Sequence, residues 1–350
     1  ADKAGSLPNL MGYKYQRILD SIPEGNEEKT RLRVGIPLVL NQYENLPFWA
    51  AFFHALDCRV VLSGQSSRSL YMKGQHTIPS DTVCYPAKLA HGHMEELVEQ
   101  GVDTIFYPCM TYNFDEGISD NCYNCPVVAY YPESIAANVE SVANTRFLYP
   151  HLSLGDEKFF VGRIYTILRD VIPGLKKSEV VRASKAAYAA YADYRQDVIA
   201  AGQTALAYAR EQDKKVIMMA CRPYHVDPEI NHGIDKLLTS LGFVIVTDDC
   251  VAHLEGKHPY NVLNQWTYHA RMYNAARFTV EHPHMEMVQL ISFGCGLDAV
   301  TSDEIKDILR RGGKLYTQLK IDEINNLGAV KIRLRSLLAA MEEREVTVHA

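Results

Sequence analysis

The chain has 350 residues, a mass of 39.5 kDa and a formal net charge of −6, from 36 basic and 42 acidic residues. Neither sign forms a long run, which disfavours a nucleic-acid partner, because such partners normally leave a basic footprint. No apolar run approaches the roughly 20 residues of a transmembrane helix, and the N-terminus, ADKAGSLPNLMGYKYQRILD, has no apolar signal core.

These features predict a cytoplasmic protein with no membrane partner. The first residue is not Met, so the chain reads as a piece of a longer polypeptide. Its length makes two domains the default. It is long enough to bury a core without disulfide staples.

In chain order, a helix is expected at 13–19 and a buried strand at 33–40. The run FWAAFFHAL then reads as a helix, with Asn45 as cap and Pro47 in the first turn. Phe48, Trp49, Phe52 and Phe53 repeat at four-residue spacing and form a packing stripe. Strands are expected at 59–62, 104–107 and 127–130, with a helix from Pro86 to about 99. Strands alternating with helices indicate parallel βαβ units. Residues 1–150 therefore read as a Rossmann-like α/β domain. Residues 151–213 are rich in Ala, Tyr and Arg and read as a helical bridge. Residues 214–350 read as a second Rossmann-like domain. Its strands are expected at 216–220, 243–246, 288–292 and 315–319, and its helices at 229–240, 261–276, 302–311 and 327–343. The expected fold is thus α/β: two Rossmann-like domains with mainly parallel sheets, joined by helices.

There are eight cysteines. Parallel sheets bind ligands beyond the carboxyl ends of their strands, and Cys109, Cys221, Cys250 and Cys295 all follow predicted strands. Cys84 precedes the helix opened by Pro86, where unpaired N–H groups favour a thiolate. Cys58 reads as core. Cys122 and Cys125 form a lone CxxC, a weak zinc signal without a second pair. The motif precedes a predicted strand and does not open a helix, against a thioredoxin-like reading. Cys84, Cys109 and Cys295 could meet in a cleft between the domains. Thiolates there would select an iron–sulfur cluster or zinc. Cys125 is the first choice for a fourth ligand, with Cys122 behind it. Gly294 and Gly296 flank Cys295. They suit either a close approach of backbone to a cluster or a tight strand–helix turn.

The loop CRPYHVDPEINHG is the densest polar stretch. Arg222, His225, Asp227 and His232 are its candidates for holding an anion or moving protons. Asp227-Pro228 is equally a helix start. Lys88 and His91 lie three residues apart, on one helix face near Cys84, and either donate hydrogen bonds near a cluster or are simply solvated. No GxxxxGK(S/T), GxGxxG after a strand, GxSxG or HExxH occurs. Walker-type ATP hydrolysis and a standard dinucleotide site are therefore unsupported.

The segments IPLVLNQYENLPFW, IPSDTVCYPAKLAHGH, IFYPC, NCPVVAYYPE, RPYHVDPEINHG, QLISFGCGLDAVTSDEI and LKIDEINNLGAVKIRLRSLLAAM resemble the large 2-hydroxyacyl-CoA dehydratase activase-related proteins. The resemblance runs from about residue 7 to 341. Such proteins usually join an ATPase of the acetate-kinase/actin/Hsp70 type to a segment like this one, and the phosphate loops of that ATPase are absent here. More distantly, the chain is similar to dehydratase subunits and double-cubane cluster proteins, whose Rossmann-like domains hold a cluster through three cysteines. The resemblance therefore implies a four-iron four-sulfur (4Fe-4S) or larger cluster on Cys84, Cys109 and Cys295. It implies an electron-transfer or reductase role with an ATPase activator as partner, fused or separate. The alternative is a non-enzymatic domain that binds a dehydratase or acyl-CoA, with structural or zinc-bound cysteines. A homodimer is compatible with either reading.

Overall fold

The computed structural model describes residues 7–24, 30–292, 294–323 and 327–348. The chain divides into two compact units. The N-terminal unit comprises Lys14–Asp197 and Asn264–Thr267. The C-terminal unit comprises Ala1–Tyr13, Val198–Leu263 and Tyr268–Ala350. Both are α/β, with parallel sheets and flanking helices.

Helix α1 (Leu10–Leu19) comes first. The N-terminal unit then runs through β1 (Leu32–Ile36), α2 (Gln42–His54), β2 (Cys58–Leu62), α3 (Arg68–Gly74), α4 (Tyr85–Glu99), β3 (Thr104–Phe106), β4 (Cys109–Tyr112) and α5 (Pro126–Asn138). It continues through β5 (Arg146–Leu148), β6 (His151–Ser153), α6 (Glu157–Leu168) and the first part of α7 (Lys177–Glu211). Four strands pair in the order β2-β1-β3-β5, and β4 pairs β6 in a separate two-stranded sheet. Every pairing is parallel.

The aromatic stripe of α2 does what its spacing predicts. Phe48, Trp49, Phe52 and Phe53 are all buried. Trp49 meets Phe106 of β3 edge-on at 4.9 Å, and Phe48 meets Phe160 of α6 at 5.3 Å. Edge-to-face pairs at such distances add to the gain from burial. The helix starts earlier than expected, with Asn41 as N-cap. Asn45 lies inside it and accepts from the Asn41 amide at 2.6 Å, while Pro47 is within the helix.

The strand expected at 127–130 is a correction: those residues belong to helix α5. Valines and tyrosines favour strands, but Pro126 at the first helical position and a capping Cys125 set a helix start. Burial of Val128, Ala129, Tyr131 and Ile135 then supplies the helix with a core face.

The C-terminal unit contains the end of α7, then β7 (Val216–Ala220), α8 (Pro228–Asn231), α9 (Ile234–Ser240), β8 (Val244–Thr247) and α10 (Thr267–Val280). After these come β9 (Met285–Ser292), α11 (Gly296–Arg311), β10 (Tyr316–Ile321) and α12 (Leu327–Val348). The parallel sheet order is β10-β9-β7-β8. All residues of β7, β8 and β9 are buried, as expected for parallel strands covered on both faces. The helix expected at 229–240 is two short helices, broken by His232 and Gly233 in left-handed conformation. The helix expected at 261–276 starts at Thr267. No described helix is long and apolar enough to cross a membrane.

Candidate functional site

Three cysteines gather in the N-terminal unit. Cys84 is the N-cap of α4, and Pro86 sits in the first helical turn, where a missing N–H costs no intrahelical bond. Cys125 is the N-cap of α5, followed directly by Pro126. Its Sγ accepts from the Val128 N–H at 3.4 Å. Both sulfurs are half-buried at the positive ends of helices, which favour negative charge. Cys125 therefore does not sit at the amino edge of a strand, as the sequence suggested. The CxxC motif does open a helix.

Cys109 is buried at the start of β4. Asn124 ties the Cys125 loop to this strand, because its Nδ2 donates to the Met110 carbonyl at 2.9 Å and its N–H donates to Thr111 O at 3.1 Å. Tyr107 precedes Cys109 by two residues and is 1% exposed. Burial pushes its hydroxyl well above the ordinary range, and Tyr131, Cys109, Cys125 and Cys84 push in the same direction. All three thiols are thus within electrostatic reach of one phenol. Among the described residues the Tyr107 hydroxyl has no hydrogen-bond partner.

Tyr131 of α5 and His91 of α4 flank the thiols. Burial raises the Tyr131 hydroxyl, and Cys84 adds to the effect. The Thr77 hydroxyl donates to the Gly74 carbonyl at 2.8 Å, so it accepts from His91 Nδ1 at 2.7 Å. That fixes the tautomer. His91 Nε2 must then accept from the Tyr131 hydroxyl at 2.8 Å. Burial keeps His91 neutral by lowering its pKa to about 4, with a smaller contribution from His76. Lys88 is buried one turn from Cys84, and its N–H donates to Cys84 O at 3.2 Å.

Cys109 has a second neighbourhood. Its Sγ, a Glu133 carboxylate oxygen and a His151 ring nitrogen lie within 4.8 Å of one another. Among the described residues this is the one such group of three; Cys84, Cys109 and Cys125 do not all lie within that distance of one another. Glu133 accepts from or ion-pairs with His151 Nε2 at 2.8 Å, and both side chains are about half exposed (51% and 44%). Burial pushes the Cys109 thiol up to about 12, with the Glu133 carboxylate adding and a Glu133 backbone N–H opposing. Pro132, inside α5, interrupts the helical ladder beside that N–H.

The remaining candidates lie in the C-terminal unit. Cys295 is the N-cap of α11, and the Arg222 guanidinium donates to its Sγ at 3.4 Å. The same nitrogen contacts His269 Nε2 at 3.2 Å and is salt-bridged to Asp298. Arg222 and Asp298 are both buried, so the pair depends on its mutual compensation. Asp298 also accepts from the Ser292 N–H at 2.9 Å. His225 accepts the Arg222 N–H through Nδ1 at 3.0 Å, and burial beside Arg222 holds it neutral. Asp227 caps α8 by accepting from the Glu229 N–H at 2.8 Å. His232, with φ 53°, donates from Nε2 to Asp322 O at 2.7 Å. Gly294 has φ 72°, a conformation that needs glycine. Gly296 has no positive φ, and a Cβ there would meet open space.

The other cysteines are packed or bonded locally. Cys58 Sγ donates to Leu56 O, and Cys221 Sγ donates to Met219 O. Cys122 Sγ is held by Ser119 and Asp115, each at 3.7 Å. Cys250 fills the space where Gly202 lacks a side chain. Sequence reasoning missed Tyr107, Tyr131, Glu133 and His151 at the thiols, and Asp298 beside Arg222. The segments IFYPC and YYPE held three of them as plain apolar or surface residues. His151 carries no local signal.

Fold and site together define an α/β protein of two Rossmann-like units, with thiols gathered at the ends of two helices and a strand. Residues 33–251 match the model of the family described as the CoA enzyme activase uncharacterised domain (DUF2229). The chain belongs to that family, and its role is associated with activation of CoA enzymes. No curated protein matches it. Among solved structures, the C-terminal domain of glucosamine-fructose-6-phosphate aminotransferase from Francisella tularensis aligns over 96% of each chain at 12% identity. Its TM-score is 0.21, too low to bear on fold or function.

Proposed function

We propose that this chain is the iron–sulfur electron-transfer or reductase module of an ATP-driven activator system, related to the activation of 2-hydroxyacyl-CoA dehydratases. The observation that carries the reading is that Cys84 and Cys125 each cap a helix N-terminus, that Asn124 ties the Cys125 loop to the strand of Cys109, and that all three thiols act electrostatically on the buried hydroxyl of Tyr107. Thiolates are the donors that iron–sulfur clusters take. A single zinc ion with bonds of about 2.3 Å would draw its thiolates to about 3.8 Å apart. Cys84, Cys109 and Cys125 do not all lie within 4.8 Å of one another, and a polynuclear centre, in which each thiolate binds a different iron, does not require that. A cluster would supply one-electron chemistry at low potential.

The chain's own groups serve such a centre. Two helix ends favour the charge on Cys84 and Cys125. The neutral His91 holds Tyr131 in place. The partner would be an ATPase of the acetate-kinase/actin/Hsp70 type, and the electron would pass to a dehydratase or a small bound substrate. Cys295, the third thiol named from the sequence, lies in the C-terminal unit, where Arg222 donates to it. Anaerobic preparation with iron and sulfide analysis tests the reading. Bound iron and sulfide support it, whereas an iron-free protein after reconstitution overturns it.

One observation favours a second reading. Cys109, Glu133 and His151 lie close enough together for a mononuclear ion, and Cys, carboxylate and imidazole are zinc donors. In that case the chain is a binding domain for a dehydratase or acyl-CoA, and metal analysis finds stoichiometric zinc in place of iron.

A further inference from the structure

We propose that the Tyr107 hydroxyl donates a hydrogen bond to a sulfur of the centre held by Cys84, Cys109 and Cys125, and thereby raises its reduction potential. The inference rests on the iron–sulfur reading above and goes one step further, to the residue that tunes the centre.

Donor accounting carries the argument. Two phenols border the thiols. Tyr131 spends its O–H on His91 Nε2, because the Thr77 hydroxyl already occupies the other ring nitrogen as acceptor. Tyr107 has a buried hydroxyl with no acceptor among the described residues. Buried polar groups without partners are rare, and each calls for a reason. The backbone fixes this one in place. Tyr107 N–H donates to Leu148 O at 2.9 Å and Cys109 N–H to Pro150 O at 2.9 Å, so the phenol and the first thiol leave β3 on one rigid segment. Asn124 then brings the Cys125 loop onto the next residue, Met110. The unspent O–H therefore sits on a clamped frame, within electrostatic reach of Cys84, Cys109 and Cys125. Hydrogen bonds to cluster sulfurs withdraw electron density and raise the potential.

The test compares the midpoint potentials of anaerobically reconstituted wild type, Tyr107→Phe and a chain carrying 3-fluorotyrosine at 107. Tyr107→Phe deletes only the oxygen, and a more negative potential at unchanged iron content is expected. The fluorinated phenol is a stronger donor and is expected to shift the potential the other way, without any change in packing. Resonance Raman of the wild type in D2O should also show a shift of an Fe–S stretching band that Tyr107→Phe lacks. Equal potentials and no deuterium-sensitive band in an iron-loaded wild type overturn this inference alone. Absence of iron in the wild type overturns the iron–sulfur reading together with it. If Tyr107→Phe does not fold, the fluorotyrosine shift and the wild-type Raman band decide.

Discussion

Cys109 and His151 are register partners in the parallel ladder of β4 and β6. One is buried and the other exposed, yet the ladder and the Glu133 carboxylate place sulfur, imidazole and carboxylate within 4.8 Å. Burial keeps the Cys109 thiol protonated, and the Glu133 carboxylate on this edge adds to the effect. On the iron–sulfur reading, metal binding must displace that proton, so affinity rises with pH.

Removing the Glu133 charge should release the thiol. In Glu133→Gln the carboxylate that raises Cys109 is gone, while the larger effect of burial remains. The Cys109 pKa falls, and its alkylation by iodoacetamide at pH 9 is expected to speed up by roughly 2- to 10-fold, the change for up to one pKa unit. Mass spectrometry of the labelled peptide reads this. An unchanged rate would mean the carboxylate does not act on the sulfur.

Individual ligand variants should separate the site thiols from the packed ones. Cys84→Ser, Cys109→Ser and Cys125→Ser are expected to lower bound iron in reconstituted protein. Cys122→Ser is expected to keep it, because Cys122 is engaged with Ser119 and Asp115. Iron retained in all three site variants would remove them from the ligand set.

The sequence revealed the parallel α/β architecture and the placement of Cys84 and Cys109, because both depend on local signals: a strand end, and a Pro just inside a helix. It misread 127–130 because Val and Tyr score as strand formers, while the helix there is stabilised by tertiary burial of Tyr131 and Ile135. That error hid the role of Cys125 as a helix cap. Glu133 and His151 were illegible for a different reason. They reach Cys109 through strand register and a helix packed on it, a long-range relation that no local pattern encodes.

Acid should weaken the fold through its buried histidines. Burial lowers the pKa of His91 to about 4 and of His93 to about 3 in the folded chain, against 6.5 for a free imidazole. As pH falls, the unfolded chain takes up protons first. Stability is therefore full above pH 6.5 and is lost from there down to about pH 3, on the order of 8 kcal/mol for the two histidines together at about 1.4 kcal/mol per pKa unit. Urea unfolding at pH 7.0, 6.0 and 5.0 checks this, and His91→Gln should flatten the slope. A midpoint independent of pH across this range would contradict it.

Helices α3 and α4 cross at Gly74 and Gly92, where a Cβ on either residue would collide with the backbone of the other helix. Gly92 is next to His91. Gly92→Ala should cost about 1–3 kcal/mol, as overpacking does, and a lowered Tm should be measurable by calorimetry. An unchanged Tm would show that the helices separate freely.

The Arg222–Asp298 pair predicts a larger effect. Asp298→Ala leaves a buried guanidinium without its carboxylate and should cost about 3–5 kcal/mol. Chemical denaturation measures the loss, and a cost below about 1 kcal/mol, the level of a surface pair, would mean that the pair is solvated.

The central claim is that three thiols of the N-terminal unit hold one iron–sulfur centre. Electron paramagnetic resonance of the anaerobically reconstituted, dithionite-reduced chain, quantified against iron and acid-labile sulfide, tests it most directly. A cluster signal that disappears in Cys84→Ser, Cys109→Ser and Cys125→Ser is the predicted result. A chain that binds no iron or sulfide, or binds only zinc at Cys109, Glu133 and His151, would contradict it.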